Sequence, residues 1–237
     1  MNKMRKRDYR VFITDEFVHL ADPIVNLVAQ LPIIKDKLIL RDSRSTFAAV
    51  VTLQGYRLHI KLSKPRSFRY LIRHLPPRYG RILHNFKTAI LLNRLNLPCI
   101  VPVAALFRRR FLILKESVLI TFFIEGSLLS ELLKSGKVSD SHIKALAKSV
   151  ADFHNAGVFH GDLKPANIIF TEEQNAILCD YDNTKIMNSL TPKQTAKDIS
   201  RIKHDLSNTD FKIFLAEYLR LRNLSEQDKR GTEAIIS

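Results

Sequence analysis

The sequence predicts an α+β protein with a β-rich N-terminal lobe and a reduced, helical C-terminal lobe. Three observations predict it. Residues 47–53 and 56–62 are rich in Val, Ile and Tyr and flank Gln54-Gly55, the pattern of a β-hairpin. From Ser139 onward the apolar residues recur at helical spacing. Gly126 lies between these regimes, so residues 1–125 and 126–237 are the expected lobes. With 237 residues, 46% of them hydrophobic, the chain can bury a sizeable core as one large domain or two small lobes.

The elements follow in order. Residues 9–17 and 37–40 read as extended segments, with a helix over 23–31 between them. Lys61 falls near the end of the second hairpin strand. At 64–75 the period changes: Phe68, Leu71, Ile72 and Leu75 form a helical stripe with Arg66, Arg69 and Arg73 beside it. Pro76-Pro77 ends that helix. A second helix is expected over 80–95, with Leu83, Phe86 and Ile90 as its apolar stripe. Strands are expected at 104–107, 111–114 and 118–124, the last broken by Gly126. Ser139 or Asp140 caps a long helix whose Ile143, Leu146, Val150 and Phe153 share a face, and Gly157 ends it. Short strands at 168–170 and 176–178 surround a polar turn, and helices follow over 193–206 and 210–221. The polar tail from Ser225 is expected to fray.

Charge is unevenly placed. The net charge is +15, and the segment from Ser43 to Lys115 holds 15 of the 38 basic residues but no Asp or Glu. The other 23 basic residues equal the 23 acidic ones, so the entire excess lies in that block. Such a surface suits an anionic partner: a phospholipid surface, an acidic glycolipid or nucleic acid. Cys99 and Cys179 form neither a disulfide framework nor a metal-ligand spacing, which fits a reduced, intracellular setting. The basic stretch 1–10 has no apolar region behind it, so no secretory signal is read. The apolar run at 118–124 is far shorter than the ~20 residues of a spanning helix.

The chemistry is concentrated in His160-Gly161-Asp162-Leu163-Lys164-Pro165-Ala166-Asn167, followed by Cys179-Asp180-Tyr181-Asp182. An aspartate precedes an asparagine by five residues, and a second aspartate follows thirteen later. Transfer of a γ-phosphoryl group needs a carboxylate near the acceptor hydroxyl and oxygen ligands for metal ions on the phosphates. The phrase, with the helix before it and the strand after it, resembles the catalytic loop of the protein-kinase-like superfamily, and so implies the two-lobe protein-kinase-like fold. The resemblance implies ATP and Mg as cofactors. It gives Asp162 the acceptor proton, Lys164 the transferring phosphate, and Asn167 and Asp180 the metal. Asp182 reads either as an assisting ligand or as the cap of a turn at Asn183. Lys61 takes the place of the strand lysine that holds the α- and β-phosphates. Phe122-Phe123-Ile124-Glu125-Gly126 takes that of the hinge, where Phe122 and Ile124 would meet adenine.

Several features depart from that superfamily. No acid between Ser43 and Lys115 can pair with Lys61, and Asn85 falls where the helix glutamate would stand. No glycine precedes Gly55, so Arg41-Asp42-Ser43-Arg44-Ser45-Thr46, with Ser45 foremost, takes the part of a Gly-rich phosphate loop. Gly161 stands where many protein kinases carry an arginine that reads a phosphorylated activation loop. Only 55 residues follow Asp182, and no Ala-Pro-Glu phrase occurs among them, which points away from a peptide acceptor.

Together with Phe86-Lys87, Leu95-Asn96-Leu97-Pro98 and Phe123-Ile124-Glu125-Gly126, these features resemble the lipopolysaccharide core kinases, over roughly residues 11–222. The resemblance implies phosphorylation of a heptose or Kdo hydroxyl on an anionic glycolipid. It implies a cytoplasmic enzyme in peripheral contact with the inner face of the inner membrane, with nucleic acid not expected as a partner. Arg66, Arg69, Arg73, Arg78 and Arg81 would meet the acceptor's carboxylates and phosphates. The stripe at Phe68, Leu71, Ile72 and Leu75 faces either the core or the membrane interface. Two readings compete: a small kinase-like ATPase in an RNA-associated complex, and a catalytically silent scaffold.

Overall fold

A computed structural model describes residues 1–64, 80–111 and 113–236. The expected helix at 64–75 therefore lies almost wholly outside the described residues. So do Arg66, Arg69, Arg73 and Arg78. The chain divides into two compact units, Met1–Ile90 with Val101–Phe123, and Leu91–Ile100 with Ile124–Ser237.

The first unit is built on a seven-stranded sheet. In chain order its strands are β1 (Asn2–Lys6), β2 (Tyr9–Ile13), β3 (Leu38–Asp42), β4 (Thr46–Leu53), β5 (Tyr56–Ser63), β6 (Pro102–Arg110) and β7 (Ile113–Phe122). They lie side by side as β1-β2-β6-β7-β5-β4-β3, and every neighbouring pair is antiparallel. The expected hairpin is β4–β5. Gln54 and Gly55 both take positive φ, 49° and 85°, as a two-residue turn matched to strand twist requires.

Alternation along the strands separates two cores. Tyr9, Val11 and Ile13, Leu58, Ile60 and Leu62, and Val118 and Ile120 face one side. Helix α1 (Ala21–Gln30) covers them with Ile24, Val25, Leu27 and Val28, each worth about 1.5–3 kcal/mol when fully buried. Phe12, Ala105, Phe107 and Leu119 face the other side and meet Ile82 and Phe86 of helix α2 (Gly80–Arg94).

Several elements differ from expectation. The extended run expected at 9–17 stops at Ile13, and Asp15–Leu20 forms a 3-10 turn. The strands expected at 111–114 and 118–124 are one strand, β7, and Phe111 sits in the preceding turn at φ 54°. Helix α2 matches its expected span, but its buried face is Ile82, Asn85, Phe86, Ala89 and Leu92, while Leu83 and Ile90 are only partly buried.

In the second unit come β8 (Ser127–Leu128), α3 (Leu129–Lys134), α4 (Asp140–Asn155), β9 (Val158–Phe159), β10 (Ile168–Phe170), β11 (Ala176–Leu178) and β12 (Lys185–Ile186). Helices α5 (Pro192–Lys203), α6 (Asn208–Leu221) and α7 (Glu226–Ile236) follow. Ser139 caps α4, and Ile143, Leu146, Val150 and Phe153 are buried as expected. Gly157 follows the helix at φ +72°, where an added Cβ would lie 1.9 Å from the Met187 carbonyl oxygen. Only glycine fits that close approach. The Ser149 hydroxyl donates to the Ala176 carbonyl at 2.6 Å and ties α4 to β11. The tail expected to fray is instead α7, started by Ser225, whose Oγ accepts from the Asp228 N–H at 3.2 Å. Among the described residues no helix is long and apolar enough to cross a membrane.

Candidate active site

The loop 160–167 runs from β9 to β10, so both its ends are fixed by sheet pairing. Its start is held from α5. Asp198, fully buried, accepts from the His160 N–H at 2.7 Å and the Gly161 N–H at 2.8 Å. Two N–H bonds to one carboxylate satisfy a buried charge that would otherwise be costly. The Asp162 N–H donates to His160 Nδ1 at 3.3 Å, which assigns the ring proton to Nε2, and Nε2 bonds the Cys179 carbonyl at 3.2 Å. Burial pushes the His160 imidazole below its ordinary pKa, so the ring is a neutral strut between the loop and the segment that leads from β11 to Asp180. Gly161 sits at φ +78°, and a Cβ there would lie 2.6 Å from the Asn183 carbonyl oxygen. Its identity thus has a steric cause besides the missing arginine.

The Asp162 carboxylate is densely partnered. Oδ2 accepts from Lys164 Nζ at 2.7 Å and Asn167 Nδ2 at 3.2 Å, and Oδ1 accepts from Arg201 Nη1 at 2.7 Å. Burial pushes the carboxyl pKa up, but the Lys164 ammonium, the Asn167 amide and the Arg201 guanidinium outweigh it and hold the group below the usual range. Asp162 is therefore a carboxylate at neutral pH, able to accept a proton but not to give one.

Asn167 is buried, and Nδ2 also donates to the Asp162 carbonyl at 2.9 Å. Both bonds use the nitrogen, so Oδ1 is the atom suited to a cation. The Cys179 N–H donates to the Asn167 carbonyl at 2.9 Å, which sets Asp180 beside the loop. Asp180 takes the left-handed region at φ +67°. One amide oxygen and one carboxylate suit Mg²⁺ completed by phosphate oxygens and water better than an all-protein site. Among the described residues no group of three or more His, Cys, Asp or Glu that could hold a metal occurs. Tyr181, in the Asp180-Tyr181-Asp182 phrase, is fully buried; its hydroxyl donates to the Leu178 carbonyl and accepts the Ile100 N–H.

In the first unit, Lys61 pairs with Ala48 and Leu119 on the sheet face that α2 covers, the helix face on which Asn85 is buried. Lys61 also has a neighbour on its own strand. Burial and the Lys61 charge push His59 down to about 4. Glu116, the first acid after the basic block, is no substitute glutamate. It points to the opposite face, where the Tyr9 hydroxyl donates to it and Arg108 Nη2 bonds it at 2.9 Å. The expected phosphate-covering turn joins β3 to β4. Ser43 Oγ there donates to the Thr46 carbonyl at 2.9 Å, and the Ser45 carbonyl accepts the Lys64 N–H at 2.9 Å. Ser45, Tyr9, Phe47, Leu62, Arg108 and Glu116 are among the residues lining a concavity of about 1060 Å³ on this second face. At the expected hinge the Phe122 N–H is spent on the Val101 carbonyl at 2.9 Å, whereas Ile124 lies past the end of β7.

Sequence reasoning missed Asp198 and Arg201. Both lie on α5, 37 and 39 residues after the loop positions they bond, and no local spacing announces them.

These parts are those of the protein-kinase-like class. The chain belongs to the lipopolysaccharide kinase (Kdo/WaaP) family, whose model matches residues 39–229. It is also similar to serine/threonine-protein kinase PKH2 of Saccharomyces cerevisiae, 30% identical over 66% of this chain and 14% of that protein. Serine/threonine-protein kinase 36 of Pongo abelii is 31% identical over 32% of this chain and 6% of its own. For serine/threonine-protein kinase 1 of Heliothis zea nuclear polyhedrosis virus the figures are 28%, 36% and 34%. The chain thus spans between 6% and 34% of the length of these relatives.

Proposed function

We propose that the protein transfers the γ-phosphoryl group of ATP to a hydroxyl of heptose or Kdo in the lipopolysaccharide inner core, with Asp162 as the base. The observation that carries the reading is the Asp162 carboxylate, ionised and bonded to Lys164 and Asn167, in a chain of the lipopolysaccharide kinase family. In the reaction, the acceptor oxygen bonds to the γ-phosphorus as the bond to the β-phosphate oxygen breaks. The hydroxyl proton passes to Asp162, and ADP leaves. Lys164 turns from Asp162 Oδ2 to the transferring phosphate and balances its charge. Asn167 and Asp180 would hold Mg²⁺, which would neutralise charge on the phosphates. On the first unit taken by itself, Lys61 is the group suited to nucleotide phosphates.

The same reading places the enzyme at the cytoplasmic face of the inner membrane. Edge strand β3 supports this. Leu38, Ile39 and Leu40 are exposed on it and Ile33 in the turn before it, with Lys35, Lys37, Arg41 and Arg44 nearby in the chain. An apolar edge with basic flanks suits an anionic bilayer surface. The test is transfer from labelled ATP to purified inner-core glycolipid, with flotation of the protein on anionic and neutral vesicles alongside. Label in glycan and flotation restricted to anionic vesicles support the reading. Label only in protein or RNA would reject the sugar acceptor.

A further inference from the structure

Arg201 bonds the carboxylate assigned above to the acceptor hydroxyl. Its Nη1 bonds Asp162 Oδ1 at 2.7 Å, the carboxylate oxygen opposite the one shared by Lys164 and Asn167. Its place is not accidental. Asp198, three residues earlier on α5, is locked to the His160 and Gly161 N–H groups, so the helix carries Arg201 in register with the loop. The guanidinium side chain is 42% exposed. It has five N–H donors in a planar fork, and the bond to Asp162 uses one.

The pairing also sets a requirement. With Lys164, Asn167 and Arg201 all on its two oxygens, Asp162 has little capacity left for a substrate hydroxyl. Lys164 has the transferring phosphate as an alternative partner. Arg201 needs one of its own, and a planar fork most favourably takes a carboxylate or phosphate. Resting on the assignment of Asp162 to the acceptor hydroxyl, we infer that Arg201 forms an anion subsite, receiving a carboxylate or phosphate that neighbours that hydroxyl on the acceptor sugar. Arg201 is thus a positioning and specificity residue. It exchanges Asp162 Oδ1 for the acceptor's own anion, releasing the base only when an acidic sugar is seated.

The test compares wild type, Arg201→Gln and Arg201→Lys on three probes: deacylated inner core, the same core after carboxyl reduction, and the same core after dephosphorylation. Wild type should prefer the core that retains the recognised anion. In Arg201→Gln that preference, as a ratio of kcat/KM, should fall about 10-fold, mostly through KM, and Arg201→Lys should restore part of it. Loss of the preference on carboxyl reduction assigns a carboxylate, and loss on dephosphorylation a phosphate. An unchanged ratio for both pairs of probes overturns the inference. So does a rise in acceptor-free ATP hydrolysis with unchanged ratios, which would make Arg201 a brake instead. Asp162→Asn is run alongside: if it transfers phosphate at the wild-type rate, the underlying reading fails, whereas an Asp162→Asn slowed by about 10²-fold or more with unchanged Arg201→Gln ratios condemns only the subsite.

Discussion

Asp198 and Gly161 lie 37 residues apart in the chain, yet Asp198 Oδ1 accepts the Gly161 N–H at 2.8 Å while Oδ2 takes that of His160. The catalytic loop is thus anchored to α5 at the position just before Asp162. Asp198→Ala strands two N–H groups in a buried site. The expected cost is about 3–5 kcal/mol, the range for breaking a buried charged contact, read by urea denaturation. A loss under about 0.5 kcal/mol, the scale of ordinary surface substitutions, would contradict the anchoring role.

Gly161→Ala tests the approach to Asn183. At φ +78°, with a Cβ 2.6 Å from the Asn183 carbonyl oxygen, alanine forces the loop or the segment after Tyr181 to move. Strain of about 1–3 kcal/mol is expected, with a fall in kcat larger than the change in the ATP KM. Unchanged melting temperature and kcat would show that the loop tolerates a side chain.

Tyr181→Phe keeps the ring but removes a hydroxyl that donates to the Leu178 carbonyl and accepts from the Ile100 N–H. The Ile100 N–H is then left without that acceptor in the interior. A destabilisation of about 1–3 kcal/mol is expected. A neutral or stabilising change would mean that the hydroxyl contacts contribute nothing.

Stability should fall as the solution is acidified, and His59 contributes to the fall. Its pKa is held down to about 4 by burial and the Lys61 charge. Below its ordinary value of about 6.5 the unfolded chain takes up a proton that the folded chain refuses. The stability it contributes is thus complete above pH about 6.5 and is lost progressively as pH falls toward 4, by about 3 kcal/mol in all. The difference between wild type and His59→Gln, followed from pH 7 to 4.5 by urea denaturation, should shrink in that window. A difference independent of pH would contradict it.

The sequence made some elements plain and hid others for identifiable reasons. The β4–β5 hairpin and α2 were legible because alternation, the Gln54-Gly55 turn and the helical period are local signals. Strand β1, with the sequence NKMRK, has no apolar pattern; it exists because its backbone pairs with β2. Lys115 and Glu116 broke the apolar run of β7 in the sequence, yet Glu116 is buried there, bonded by Arg108 of the adjacent β6 and by Tyr9 of β2 beyond it. Helix α7 had a signal that could have been used, Ser225 with Asp228 three residues on. For the site, Asp162, Asn167 and Asp180 were expected from the resemblance of their phrase to the kinase catalytic loop. Asp198 and Arg201 were not, because their contact with the loop is made by the fold and not by proximity in the chain.

The central claim is that Asp162 serves a sugar hydroxyl. It is tested most directly by incubating the purified protein with ATP, Mg²⁺ and inner-core glycolipid and locating the new phosphate by mass spectrometry and ³¹P NMR, for wild type and Asp162→Asn. The account predicts a phosphomonoester on a heptose or Kdo residue with wild type, and a loss of about 10²–10⁴-fold in rate with Asp162→Asn, the usual contribution of a positioned base. Phosphate on the glycan at equal rates with both proteins, or none with either, would contradict it.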